Sequence, residues 1–193
     1  MKTDFIQIAS YASKAPSGHN TQPWKFHITD GTITVVPNSE VALPVVDGNN
    51  RELFISLGCA VENLCIAASY FGYTTHIIGC SIEAIILELT KNDLTIEDSL
   101  FHQIEKRQTN RNIYNGNKIS DGILQQLQRF LLKVTEIGIS YAFLNQPCEV
   151  AALAFDLREK LPVNMEHLTL IMRIGYAKQI PYSPRKKIET LLV

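Results

Sequence analysis

Between Asp4 and Lys14 the apolar side chains Phe5, Ile8, Ala9 and Ala12 recur at three- and four-residue steps, which predicts a short helix with one buried face. Pro16, Gly18 and Pro23 then break the pattern and force an irregular loop that runs to Trp24. Lys25–Thr29 and Thr32–Val36 are β-rich runs joined by Asp30-Gly31, a pair suited to a tight hairpin turn. The strongest periodicity lies between Arg51 and Tyr73. There Leu53, Leu57, Val61, Leu64 and Ala68 form a stripe that Phe54, Cys65 and Phe71 widen. Small residues among them (Ser56, Gly58, Ala60, Ala67) let another backbone come close, so a buried central helix is expected, closed by Gly72.

Tyr73–Cys80 and Ile82–Leu89 read as strands, with β-branched residues supplying the preference. A short helix over Asp98–Lys106 follows. A longer one is expected from Ser120 to about Ile137, ended by Gly138. Ile139–Asn145 reads as a strand, and Pro147 opens a helix through Lys160. His167–Tyr176 is a strongly apolar strand, and the tail from Pro184 a short basic helix or arm. Helices and strands alternate without a regular βαβ rhythm. The expected class is therefore α+β or α/β, with a mixed, mainly antiparallel sheet flanked by helices around the long central one.

The chain has 193 residues, enough for one compact domain or two interlocked halves. Its 18 Lys and Arg against 19 Asp and Glu leave no basic footprint for nucleic acid. No apolar run was expected to reach the roughly 20 residues that span a membrane. Met1-Lys2-Thr3-Asp4 does not read as a signal peptide, so a cytoplasmic setting is expected. Cys59, Cys65, Cys80 and Cys148 show no Cys-x-x-Cys spacing and predict no metal site. Cys59 and Cys65 read as small buried hydrophobes on the central helix.

Three stretches carry candidate chemistry. Pro16-Ser17-Gly18-His19-Asn20-Thr21-Gln22-Pro23-Trp24 gathers donors and acceptors on a backbone shaped by Pro and Gly, beside an apolar wall. A flat heteroaromatic ring with imide and carbonyl edges needs such a set. The competing reading is a turn whose Asn20 and Gln22 satisfy only their own backbone. Arg107, Thr109 and Arg111 alternate; on an extended segment they would face one way and cradle a phosphate dianion. A solvated basic turn is the alternative. Ser183-Pro184-Arg185-Lys186-Lys187 is by itself a solvated tail, and with Arg107 and Arg111 a second wall for the same phosphate. His27, His76 and His102 lack partners at meaningful spacing, and Asp47 with Glu52 shows no spacing that calls for acid/base work. No side chain is assigned as catalytic.

Taken together, these stretches resemble the nitroreductase family of flavoproteins. Ala15-Pro16-Ser17-x-x-Asn20-x-Gln22-Pro23-Trp24-x-Phe26 is similar to the family's signature loop. Arg107-x-Thr109-x-Arg111 resembles the Arg-x-Ser-x-Arg motif that holds the FMN phosphate in an ordinary member. Arg173-Ile174-Gly175-Tyr176-Ala177 with Ser183-Pro184-Arg185 resembles the last core strand and final phosphate-binding arginine. Gly138 through Asn145-Gln146-Pro147 resembles the segment passing near the reactive edge of the flavin.

Here the loop precedes the arginine motif, the reverse of the usual order. That resembles a longer subgroup in which two family domains are fused. The resemblance implies one domain over 1–193, with a first half 1–97 bearing the ring-facing loop and a second half 98–193 bearing the phosphate motifs. It also implies that the second half is shortened by an internal deletion between about Leu124 and Arg129. FMN would then meet Pro16, Ser17, Gly18, Asn20 and Asn145 at its ring, and Arg107, Thr109, Arg111 and Arg185 at its phosphate. The implied activity is reduction of a quinone, nitroaromatic or similar small acceptor by NAD(P)H, in a homodimer without nucleic-acid or membrane partners. A flavin-binding or flavin-sequestering protein with little turnover is the alternative, and an interaction domain without cofactor a third.

Overall fold

The computed structural model describes residues 2–113, 132, 135–143 and 172–193. The chain divides into two compact units, Met1–Lys106 with Ser183–Val193, and Arg107–Tyr182. The last eleven residues thus belong with the first unit.

In the first unit, α1 (Lys2–Ala12) buries Phe5, Ile8, Ala9 and Ala12, the face that the periodicity marks out. The loop leads into β1 (Trp24–Ile28), which pairs antiparallel with β2 (Thr32–Pro37). Gly31 makes the turn at φ +90°, a conformation that costs a residue with a β-carbon far more. After the long helix α2 (Arg51–Tyr70), Gly72 at φ +73° turns the chain into β3 (Tyr73–Cys80). β4 (Ile85–Lys91) returns beside it. It starts three residues later than the expected Ile82, because Ser81–Ala84 form a turn in which the Ser81 hydroxyl accepts the Glu83 and Ala84 amides. All pairings are antiparallel, in the order β1-β2-β4-β3. α2 packs against α1, β2 and β3. Helix and antiparallel sheet together make the fold α+β.

α2 buries its expected stripe of Leu53, Leu57, Val61, Leu64 and Ala68. Its length and composition would also suffice to cross a membrane, contrary to the expectation from the apolar runs. Its packing is that of a core helix. Cys59 and Cys65 lie half-buried on its flank, outside the buried stripe. The stripe also buries Glu52, Ser56 and Asn63, polar residues that hydrophobic periodicity passes over.

Asp47 explains where α2 starts. Its Oδ1 accepts the Glu52 amide at 3.0 Å and its Oδ2 the Leu53 amide at 2.9 Å, satisfying two of the orphan donors of the first turn. The carboxylate is 6% exposed, and it faces the positive end of the helix dipole. At the other end, Lys91 donates to the Phe71 carbonyl at 2.6 Å. The expected helix over Asp98–Lys106 is only a 3-10 turn, Phe101–Gln103. Asp98 caps the Leu100 amide there, and Phe101 stacks on Tyr70 at 3.8 Å.

In the second unit, β5 (Ser140–Phe143) pairs antiparallel with β6 (Met172–Gly175). Gly138 ends a helical stretch at φ +73°. The Pro147–Lys160 helix, Asn145, Cys148 and the deletion point near Leu124–Arg129 lie outside the described residues.

Asp47→Ala should lower the free energy of unfolding by about 1–2 kcal/mol, the usual cost of losing a helix cap. Urea denaturation checks this, and Asp47→Asn should recover part of the loss because its carboxamide oxygen still accepts one amide.

Candidate functional site

The loop between α1 and β1 is built around backbone that L-residues avoid. His19, Asn20 and Gln22 have φ of +49°, +58° and +51°. Asn and His tolerate this region better than most residues, whereas Gln pays about 1–2 kcal/mol. Neighbouring contacts hold the loop there. Ser17 Oγ accepts the Gln22 amide at 2.9 Å, and the Gln22 Nε2 donates to the Asn20 carbonyl at 3.2 Å. The Thr21 hydroxyl donates to the Gly18 carbonyl at 2.9 Å. So the Gln22 side chain serves the loop backbone, as the plain turn reading expects, while the Asn20 side chain bonds Pro184 and Arg185 well beyond it.

α2 forms the floor of the loop. The Gly18 amide donates to Ser56 Oγ at 3.2 Å, and the Ser56 hydroxyl donates to the Glu52 carbonyl at 2.6 Å. A β-carbon on Gly18 would lie 2.8 Å from Glu52 Oε2, so glycine is required here by a neighbour and not by its φ. The Glu52 side chain is 7% exposed and has little room to retreat.

Residues 183–193 form the opposite wall. Arg185 Nη1 donates to Asn20 Oδ1 at 2.5 Å, and its Nη2 donates to the Lys14 carbonyl at 3.3 Å. Asn20 Nδ2 donates to the Pro184 carbonyl at 3.0 Å. The Lys186 amide donates to Gln22 Oε1 at 2.7 Å, and its ammonium to the Thr21 and Gln22 carbonyls at 2.7 and 3.2 Å. Burial pushes the Lys186 pKa down, and the Lys25 charge adds to that shift.

In the second unit, Arg107 is buried and its Nη1 donates to the Tyr141 hydroxyl at 2.5 Å. Thr109 bridges Tyr141 in parallel register, and Arg111 is exposed. The inward residues are therefore Arg107 and Asn110, spaced by three, where an extended segment would alternate. Asn110 fixes this path: its amide donates to the Tyr141 carbonyl at 2.6 Å and its Nδ2 to the Lys178 carbonyl at 2.8 Å. Of the residues singled out from sequence, Pro16, Ser17, Gly18, Asn20 and Arg185 come together in the first unit. Arg107, Thr109 and Arg111 belong to the second. Lys186 was named only within its basic run and Glu52 was set aside with Asp47, while Ser56 and Asn110 were not assigned to a site.

Among the described residues no cluster of three or more His, Cys, Asp or Glu side chains could hold a metal ion.

No family model matches the chain. Among curated proteins, "Putative NAD(P)H nitroreductase Rv3131" of Mycobacterium tuberculosis is 29% identical over 70 residues, covering 36% of this chain and 20% of that protein. "Putative NAD(P)H nitroreductase acg" of the same organism is 30% identical over 76 residues, covering 39% of this chain and 23% of that protein. The chain is a distant relative of proteins named as nitroreductases. The matched segments span only about a fifth of the relatives' length.

Gly18→Ala should cost about 1–3 kcal/mol of stability, the range for overpacking. Combined with Glu52→Ala it should cost less than the sum of the two single changes in urea denaturation. Additive losses would mean that Glu52 does not fill the space above Gly18.

Proposed function

We propose that the protein is an FMN-dependent oxidoreductase of nitroreductase type, using NAD(P)H to reduce a quinone, nitroaromatic or similar small acceptor. The observation that carries this reading is the meeting of Asn20 with Arg185 across 165 residues of sequence. Two of the stretches that resemble nitroreductases, distant in the chain, thereby share one cluster. The names of the relatives support the same reaction class.

The residues present suit FMN. The buried Trp24 Nε1, at the exit of the loop, makes no hydrogen bond among the described residues. The loop backbone is cross-linked by hydrogen bonds, and Arg185 and Lys186 bring positive charge beside it. A ligand with a flat polar edge and a phosphate dianion answers both features. When bound, FMN supplies the hydride chemistry, and the protein contributes binding and orientation. Pro16, Ser17, Gly18 and Asn20 would face the ring, and Arg185 would serve the phosphate by charge-assisted hydrogen bonds. The resemblance assigns the phosphate to Arg107, Thr109 and Arg111 as well, and Asn145 to the reactive edge. A homodimer in the cytoplasm completes the proposal.

Purified protein should carry or take up flavin, seen as its visible absorbance, and anaerobic NAD(P)H should bleach that absorbance. Flavin that stays oxidised would point to a flavin-holding protein, and failure to take up added FMN would sink both readings. Arg185→Ala and Arg107→Ala should each weaken FMN binding by about 1.5–3 kcal/mol in a fluorescence titration. Unchanged affinity in both would remove the phosphate assignment.

A further inference from the structure

A loop that places His19, Asn20 and Gln22 in the left-handed region keeps that shape only if its surroundings over-determine it. Its own sequence does not do so. The internal bonds from Ser17 and Thr21 close the turn, but the carbonyls of Thr21 and Gln22 need donors from elsewhere. One side chain provides for both: the Lys186 ammonium reaches the Thr21 carbonyl at 2.7 Å and the Gln22 carbonyl at 3.2 Å. The Lys186 amide, meanwhile, holds the Gln22 side chain at 2.7 Å.

The lysine is itself fixed from the far end of the arm. The Phe26 amide donates to the Leu191 carbonyl at 2.6 Å, and the Val193 amide donates to the Phe26 carbonyl at 2.9 Å. Leu191 is 1% exposed, so the arm is anchored in the core as well as on the edge of β1. Burial, with the Lys25 charge adding to it, lowers the Lys186 pKa from its ordinary 10.5, in keeping with a half-buried ammonium.

We propose that Lys186 is a positioning residue: by clamping the Thr21 and Gln22 carbonyls from the anchored 183–193 arm, it holds the 17–22 loop in the shape that receives a ligand. The clamp stands on the loop and arm geometry. Its effect on FMN rests on the flavin reading above. Lys186 differs in this from Arg185, whose proposed part is to touch the phosphate. Three donors on a flexible stem suit two diverging carbonyls. Arginine can satisfy the same pair through its fork, whereas methionine keeps the stem and loses every donor.

Hydrogen–deuterium exchange of the flavin-free protein tests the clamp directly. Lys186→Met should speed exchange of the amides in residues 19–22 by at least about tenfold, while α2 keeps its protection and the urea midpoint moves little. Lys186→Arg should restore most of the protection. Where the parent protein binds FMN, Lys186→Met should weaken that binding roughly tenfold, and Lys186→Arg only about two- to threefold. Unchanged exchange at 19–22 in Lys186→Met would overturn the proposal, as would a uniform loss of protection across α2, which would make the lysine a general stabiliser. Faster exchange confined to 19–22 in a protein that takes up no FMN would uphold the clamp and remove only the flavin reading.

Discussion

The carbonyls of Thr21 and Gln22 lie in a turn that no periodic structure can satisfy, and the chain answers them from residues more than 160 positions away. Much of the first unit is arranged around that need. α2 underlies the loop through Ser56 and Glu52, and the edge of β1 is extended by Leu191 and Val193 so that the arm arrives at the right height. The balance is one of small terms. A few kcal/mol of backbone strain are offset by hydrogen bonds each worth about 1 kcal/mol net, so the shape depends on their number and not on any single strong contact.

What could be read from the sequence was what depends on near neighbours. The α1 face, the Asp30-Gly31 hairpin and the α2 stripe are all set by periods of two or 3.6 residues, and each appears where the pattern puts it. The irregularity of the Pro16–Trp24 loop was legible too, because Pro and Gly act locally. Asp47 was not, since five residues separate it from the Glu52 amide it caps and no helical period links them. Nor was the role of Asn110. A run of Arg, Thr and Arg at alternate positions suggested a strand, but the buried carboxamide between them decides which way the segment faces. The Asp98–Lys106 segment had helical composition, a weak preference that tertiary packing overrides; only Phe101–Gln103 winds, with Phe101 stacked on Tyr70.

The candidate site was legible in parts and illegible as a whole. Ser17, Gly18 and Asn20 stand out by residue type, and Arg185 by its basic neighbours. That Asn20 and Arg185 touch is a statement about tertiary structure, and only coordinates can make it. The second unit keeps its own account: Arg107 and Asn110 are turned inward on Tyr141 and Lys178. Kinship with the mycobacterial proteins reaches across little more than a third of this chain. The reaction class therefore leans on distant likeness, and the loop's construction leans on its contacts.

The arm's attachment to β1 bears on whether the Pro16–Trp24 segment is a portable module. A protein engineer who grafted that segment onto another scaffold would transfer its left-handed residues without the donors that Pro184–Lys186 and the α2 floor bring to it. The graft would relax toward ordinary turn geometry. For this loop the smallest transferable piece has three separate stretches of chain, and a motif that looks continuous on paper is discontinuous in space.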